Sequence, residues 1–274
     1  MKVEEFSIPS SEGLPIRGTA TVPRDACSLV VVVHGFKGFR QWGFFPWVCE
    51  RLAQSKIASV RFDMSRNGIG SNAELFDRLD LFEHDTYSQQ IEDLCSIDSF
   101  INGTDALRDL PRFALGHSRG GAIAILGAKH LSRLRGIVTW ASISRVDRWD
   151  EELKKQWRRD GFQEVVNQRT GQRMRMSVAI LHDYERDPAR LDVLDAAEAL
   201  EVPLLSVHGG ADESVSAEES RQIVRRARNG TLVMIEGSGH TFGAIHPLID
   251  VPFPLRLAAA VTEAFVTSQS GPRR

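Results

Sequence analysis

Between residues 28 and 239 the chain alternates short, continuous apolar runs with longer amphipathic stretches, and this alternation restricts the fold more than any other feature. SLVVVVHGF, IASVRFDM and RFALGHS read as strands, and WGFFPWVCERLAQ and DTYSQQIEDLCSIDSFI between them read as helices. In the second of those helices Tyr87, Ile91, Leu94 and Ile101 recur near a 3.6-residue period, with Asp85 placed to cap its amino end. The strands are Val/Ile/Leu runs without polar alternation, the pattern of a parallel sheet whose two faces are both covered by helices. RGIVTWAS, VPLLSVHGG and TLVMIEGSG continue the series, and Ser216 with Glu219 predicts a capping box at the start of the helix after VPLLSV. The fold class that follows is α/β, doubly wound, with a mostly parallel central sheet.

The alternation breaks between about Ser144 and Ala189. WDEELKKQWRRDGF has a helical period and EVVNQRTGQRMRMS reads as two strands joined around Arg169, Thr170 and Gly171, with Met174 and Met176 on one face and Arg173 and Arg175 on the other. This predicts a core of residues 1–143 and 190–274, with 144–189 inserted after the sixth strand as a lid of one helix and a β-hairpin. No repeat, low-complexity tract or flexible linker marks a second domain.

One strand end stands apart. Gly116-His117-Ser118-Arg119-Gly120 fits G-x-S-x-G, with the strand RFAL before it and the all-round apolar GAIAILGA after it. In that motif a serine sits on a strained corner with its hydroxyl exposed, and side chains at the glycine positions would collide with the neighbouring elements. A serine hydroxyl needs a base to take its proton and a carboxylate to orient the base. Asp212, in HGGADESV, and His240, in EGSGHTFG, follow at the carboxyl ends of the next strands, where open α/β sheets assemble their sites. HGFKGF ends an earlier strand in a glycine-rich turn whose amides can face a developing oxyanion, so the backbone N–H groups of Phe36 and Arg119 are the candidate donors. Glu213 is the reserve acid and His246 the reserve base. His34 and His117 lie inside motifs that they would brace, while His84, His130, His182 and His208 carry no pattern of their own.

HGFKGF, RFDMSRNGIGSN, GHSRGG, HGGADESV and GSGH, in this order and spacing, resemble the α/β-hydrolase superfamily, and within it the bacterial cinnamoyl and feruloyl esterase-like members related to dienelactone hydrolase. The resemblance implies Ser118 as nucleophile, His240 as base, Asp212 as orienting acid and the insertion as a lid over the substrate. The expected function is cleavage of carboxylic esters through an acyl-enzyme, with a preference for aromatic acids. Trp149, Trp157, Met174 and Met176 of the insertion are the candidate substrate-binding residues, since aromatic and thioether surfaces commonly line small-ligand pockets. The alternatives are a peptidase or amidase of prolyl-oligopeptidase type and a non-catalytic ligand-binding member of the fold.

Composition narrows the partners. A chain of 274 residues with 42% hydrophobic and 26% charged residues and a net charge of -2 exerts no bulk attraction on phosphate backbones or anionic membranes. The expected partner is a small-molecule ester, with no nucleic acid or membrane, in a cytoplasmic monomer or homodimer. Nothing has the spacing of a zinc site or a G-x-G-x-x-G after a strand, so no metal or cofactor is inferred. Cys27, Cys49 and Cys95, odd in number and far apart, are expected to be reduced and buried.

Overall fold

The computed structural model describes residues 1–72 and 75–271; positions 73–74 and 272–274, the latter at the end of the expected core segment, lie outside the described residues. Among the described residues ten strands form, β1 (Lys2–Pro9), β2 (Pro15–Val22), β3 (Ser28–Val33), β4 (Ile57–Phe62), β5 (Arg112–His117), β6 (Leu134–Trp140), β7 (Phe162–Val166), β8 (Arg173–Ser177), β9 (Leu204–Gly209) and β10 (Gly230–Ile235). The helices between them are α1 (Phe45–Gln54), α2 (Leu79–Phe82), α3 (Tyr87–Asn102), α4 (Arg119–Leu126), α5 (Glu151–Asp160), α6 (Ala179–Arg186), α7 (Val193–Glu198), α8 (Ala217–Arg226) and α9 (Phe253–Gln269).

Eight strands make one sheet in the order β1-β2-β4-β3-β5-β6-β9-β10. β4, β3, β5, β6, β9 and β10 run parallel, while β2 is antiparallel to both β1 and β4. β3 shows why the inner strands lack polar alternation. Leu29, Val31 and Val33 join the cluster built with α3 and α4, whereas Val30 and Val32 join the one built with α1 and α9. Every residue of β3 is buried, and each such valine or leucine contributes about 1.5–3 kcal/mol through loss of apolar surface to water. The outermost strand β1 is mostly exposed on both faces. No helix among the described residues is long and apolar enough to cross a membrane.

Residues 144–189 leave the sheet after β6 and form α5, the antiparallel pair β7–β8 and α6. Trp157, Met174, Met176, Ile180 and Leu181 from this stretch belong to the same apolar cluster as α3 and α4, so it packs on the core rather than forming a body of its own. Trp157 is fully buried and its Nε1 donates to the Met176 carbonyl at 2.9 Å, which ties α5 to β8. Arg173 and Arg175 face solvent as the alternation predicts.

Three local expectations are corrected. Thr86, not Asp85, caps α3, its hydroxyl accepting from the Gln89 amide at 3.3 Å; Asp85 is drawn inward by Gln90 and Arg119 instead. Ser216 caps α8, but Glu219 does not complete a capping box, because its carboxylate accepts from the Ser144 amide and from Arg148 and so anchors the start of the insertion. Of the three free cysteines only Cys49 is buried; Cys27 is exposed and Cys95 half-buried.

Candidate active site

At the end of β5 the chain turns directly into α4, and Ser118 occupies the corner with φ 56° and ψ -122°. A residue bearing a Cβ is strained in that conformation, and the surroundings hold it there. The Ser118 amide donates to the Trp140 carbonyl at 2.8 Å, and its carbonyl accepts from Gly121 at 3.0 Å. The flanking glycines are required by contact. A Cβ on Gly116 would lie 2.1 Å from the Gly120 carbonyl oxygen, and one on Gly120 would lie 2.3 Å from that of Val33.

Asp212 and His240, from the loops after β9 and β10, are joined by a 2.8 Å hydrogen bond from His240 Nδ1 to Asp212 Oδ2. That bond makes Nε2 the free acceptor of the imidazole. The Asp212 side chain is 1% exposed and accepts at Oδ1 from the amides of Ser214 and Val215, at 2.8 and 3.0 Å. Burial alone would raise its pKa, but hydrogen bonds from His208, His240 and the Val215 amide outweigh it and hold the carboxyl well below the usual carboxylate range. The group is therefore an anion able to stabilise an imidazolium.

His208 also belongs to this constellation, although no motif in the sequence marks it. Its buried Nε2 lies 2.9 Å from the Val215 carbonyl and 3.2 Å from Asp212 Oδ2, two acceptors that require the proton on that nitrogen. Nδ1 then accepts from Ser220 at 2.6 Å, Ser220 from Ser206 at 2.9 Å, and Ser206 from Thr139 at 3.0 Å. A one-directional chain of buried donors thus runs from β6 to the carboxylate. In the sequence His208 is marked only by its place next to last in β9, four residues before the acid.

Gly35 packs against the corner so closely that a Cβ there would lie 2.9 Å from the His117 carbonyl oxygen and 3.0 Å from Ser118 Cβ. The next residue, Phe36, lines the same cavity as the serine. His34 fixes the turn, with Nδ1 donating to the Gly35 carbonyl at 2.9 Å and Nε2 accepting from the Met64 amide at 3.1 Å; burial lowers its pKa. His117 Nε2 donates to the His240 carbonyl at 3.0 Å, and burial, helped by His240, pushes its pKa down to about 3. Both histidines are neutral braces.

Phe36, Ser118, Arg119 and His240 line one cavity of about 500 Å³ with Lys37, Tyr87, Ile143, Arg148, Trp149, Val165, Met176, Ser214 and Val215. Among the described residues the Ser118 hydroxyl forms no hydrogen bond with His240; the two meet across this space, and such contacts often tighten only around substrate. Of the four residues expected to bind substrate, Trp149 and Met176 are on the wall. Trp157 and Met174 are not: both are fully buried, and Trp157 instead backs Trp149 edge-on at 5.0 Å. Trp149 also lies outside α5, which begins at Glu151 after the Asp150 cap. His246 accepts from the Gly43 amide at 2.8 Å and lines a different cavity, and Glu213 is exposed, with no hydrogen bond to His240 among the described residues. Among the described residues no group of three or more His, Cys, Asp or Glu is placed to hold a metal ion.

A doubly wound sheet of this order, carrying a strained serine at a strand-to-helix corner and an Asp–His pair on later strand ends, is the architecture of the α/β hydrolases. The chain belongs to the Alpha/beta hydrolase family, whose model matches residues 30–252. A comparison with curated protein sequences gives no significant match. Among solved structures it is similar to Est1E from Butyrivibrio proteoclasticus with ferulic acid bound, at 21% identity and TM-score 0.73 over 96% of this chain and 98% of that one. It is also similar to dienelactone hydrolase from Anabaena variabilis, at 16% identity and TM-score 0.64 over 98% and 99% of the two chains. The monoacylglycerol lipase of Paleococcus ferrophilus matches at 16% identity and TM-score 0.65 over 98% and 100%. At these identities the likeness is one of fold.

Proposed function

We propose that the protein is a serine esterase that cleaves carboxylic esters through an acyl-enzyme intermediate. The observation that carries this reading is the shared cavity in which Ser118, on its strained corner, faces the His240 imidazole that Asp212 holds by Nδ1. Ser118 Oγ attacks the ester carbonyl as its proton passes to His240 Nε2. The Phe36 and Arg119 amides receive the oxyanion of the tetrahedral intermediate, and preorganised donors of this kind contribute roughly 3–4 kcal/mol each to catalysis. Collapse expels the alcohol, which takes the proton from His240. Water, deprotonated by the same nitrogen, then releases the acid and restores the serine.

Residues 144–189 act as the lid in this reading and supply Trp149, Val165 and Met176 to the wall opposite the serine. With Phe36 and Tyr87 they make an apolar, ring-bearing part of the wall that favours a planar aromatic acid over a long flexible chain. The ferulic acid bound to the structurally similar Est1E is consistent with such an acyl group. The test compares kcat/KM for methyl hydroxycinnamates with that for octanoate and longer esters in the wild type, Trp149→Ala and Ser118→Ala. Hydrolysis lost only in Ser118→Ala, with an aromatic preference of several-fold that shrinks in Trp149→Ala, is the expected result. Retention of activity in folded Ser118→Ala, or a preference for the long aliphatic acid, rejects the corresponding half of the proposal.

A further inference from the structure

Among the described residues the cavity wall contains three cationic side chains, Lys37, Arg119 and Arg148, and no carboxylate. Their partners differ. Arg148 is matched by both oxygens of Glu219, at 2.8 and 2.7 Å. Arg119 is buried between the Phe36 and Tyr87 rings, 4.2 and 4.8 Å from their centroids, and its ion-pair partner is Asp85 through one contact of 3.3 Å. Asp85 divides the same oxygen between Arg119 and Gln90, while its other oxygen is buried without a partner. Lys37 has no carboxylate within ion-pair distance among the described residues. Its ammonium donates to the Val166 carbonyl at 3.1 Å and lies 5.6 Å from the Phe36 ring, so Lys37 and Arg119 flank the same aromatic side chain.

A half-buried ammonium without a carboxylate partner loses part of its hydration uncompensated. Burial lowers its pKa accordingly, and an anion in the cavity would reverse that. The Arg148 charge is met by Glu219, whereas burial raises the pKa of Asp85, the partner of Arg119, to about 7, so among the described residues the wall carries an excess of at least one positive charge that a ligand carboxylate would offset. The carbonyl of Val166 adds no charge and leaves the remaining Lys37 donors for a ligand.

Resting on the esterase reading above, we infer that the substrate is an ester carrying a second, free carboxylate, which Lys37 holds beside the Phe36 ring that Arg119 also contacts. The carboxylate enters either with the acyl group or with the alcohol, and it directs the ester carbonyl toward Ser118 while the aromatic wall takes the body of the molecule. Lys37 is a specificity-determining residue in this scheme and takes no part in the bond-breaking steps.

The experiment measures kcat/KM for two isosteric pairs. Methyl 4-carboxycinnamate against methyl 4-carbamoylcinnamate places the charge on the acyl side; 3-carboxyphenyl acetate against 3-carbamoylphenyl acetate places it on the alcohol side. The expected result is a preference of about 10-fold or more for the carboxylate in at least one pair, the scale of one charge-assisted hydrogen bond, reduced by added salt. The preference should fall toward unity in Lys37→Met and persist in Lys37→Arg, and both variants keep a side chain at the same backbone position of φ 57°. Neutral esters cleaved as fast as or faster than their charged partners in both pairs overturn the inference and leave the esterase reading standing. So does a carboxylate preference unchanged in Lys37→Met. Absence of hydrolysis of any ester, with Ser118 unreactive toward a fluorophosphonate, overturns the parent reading and the inference with it.

Discussion

The strain at Ser118 has a thermodynamic signature that can be separated from the chemistry of its hydroxyl. At φ 56° and ψ -122° a residue with a Cβ stores on the order of 1–3 kcal/mol, which glycine would not. Ser118→Gly should release this strain, while the extra freedom of glycine in the unfolded chain takes back about 0.5–1 kcal/mol. The proper reference is Ser118→Ala, which loses the same hydroxyl but keeps the Cβ. Relative to it, glycine should be more stable by roughly 1 kcal/mol, a rise in Tm of about 2–4 °C for a domain of this size. Denaturant melts and differential scanning calorimetry of the three proteins measure this directly, and both variants should be inactive toward esters. A Ser118→Gly protein less stable than Ser118→Ala would refute the claim that the corner is held against its own backbone preference.

Asp212→Asn should lower turnover by about 10⁴-fold, because the amide cannot fix the His240 tautomer or stabilise the imidazolium, whereas Glu213→Gln should leave steady-state rates within a few-fold; the opposite ranking would move the acid to Glu213. Because the His117 pKa is depressed from its ordinary 6.5 to about 3, its neutral form stabilises the fold fully above pH 6.5, and that contribution is lost as pH falls toward 3, at about 1.4 kcal/mol per unit. Urea melts of wild type and His117→Gln should therefore differ by about 2 kcal/mol less at pH 5 than at pH 7, and an equal difference at both would contradict this. Trp157→Ala should destabilise the protein by about 3–5 kcal/mol, through the cavity left and the lost hydrogen bond to the Met176 carbonyl. Trp149→Ala should cost much less stability and raise KM for aromatic esters. Similar losses in chemical denaturation would show that the two tryptophans do not divide into glue and wall.

The parts legible in the sequence are those where one local signal decides the outcome. β3 is readable because both of its faces are buried, so the apolar run is unbroken. Gly116 and Gly120 are readable because the contacts at the corner admit no side chain. β1 carries no comparable signal, since an edge strand that is mostly exposed needs no hydrophobic pattern; β2 is largely buried, but Arg17, Thr19 and Thr21 break its apolar run. The errors come from side chains recruited over long sequence distances. Asp85 and Glu219 look like helix caps but serve Arg119 and Arg148. Trp157 and Met174 resemble pocket residues by type, and only packing shows that they are core. His208 is the reverse case, a histidine without a motif whose ring lies against Asp212. No spacing rule connects Lys37 to the cavity, because its neighbours there come from α3, α4, the insertion and the loops after β9 and β10.

The proposal that Ser118 is the nucleophile is tested most directly by mass spectrometry of the intact protein and its peptides after treatment with a fluorophosphonate. One adduct per chain, located on Ser118, accompanied by parallel loss of ester hydrolysis and greatly slowed in Asp212→Asn, is the predicted result. Full ester hydrolysis with Ser118 unmodified, or an adduct that forms on another residue as activity disappears, would contradict it.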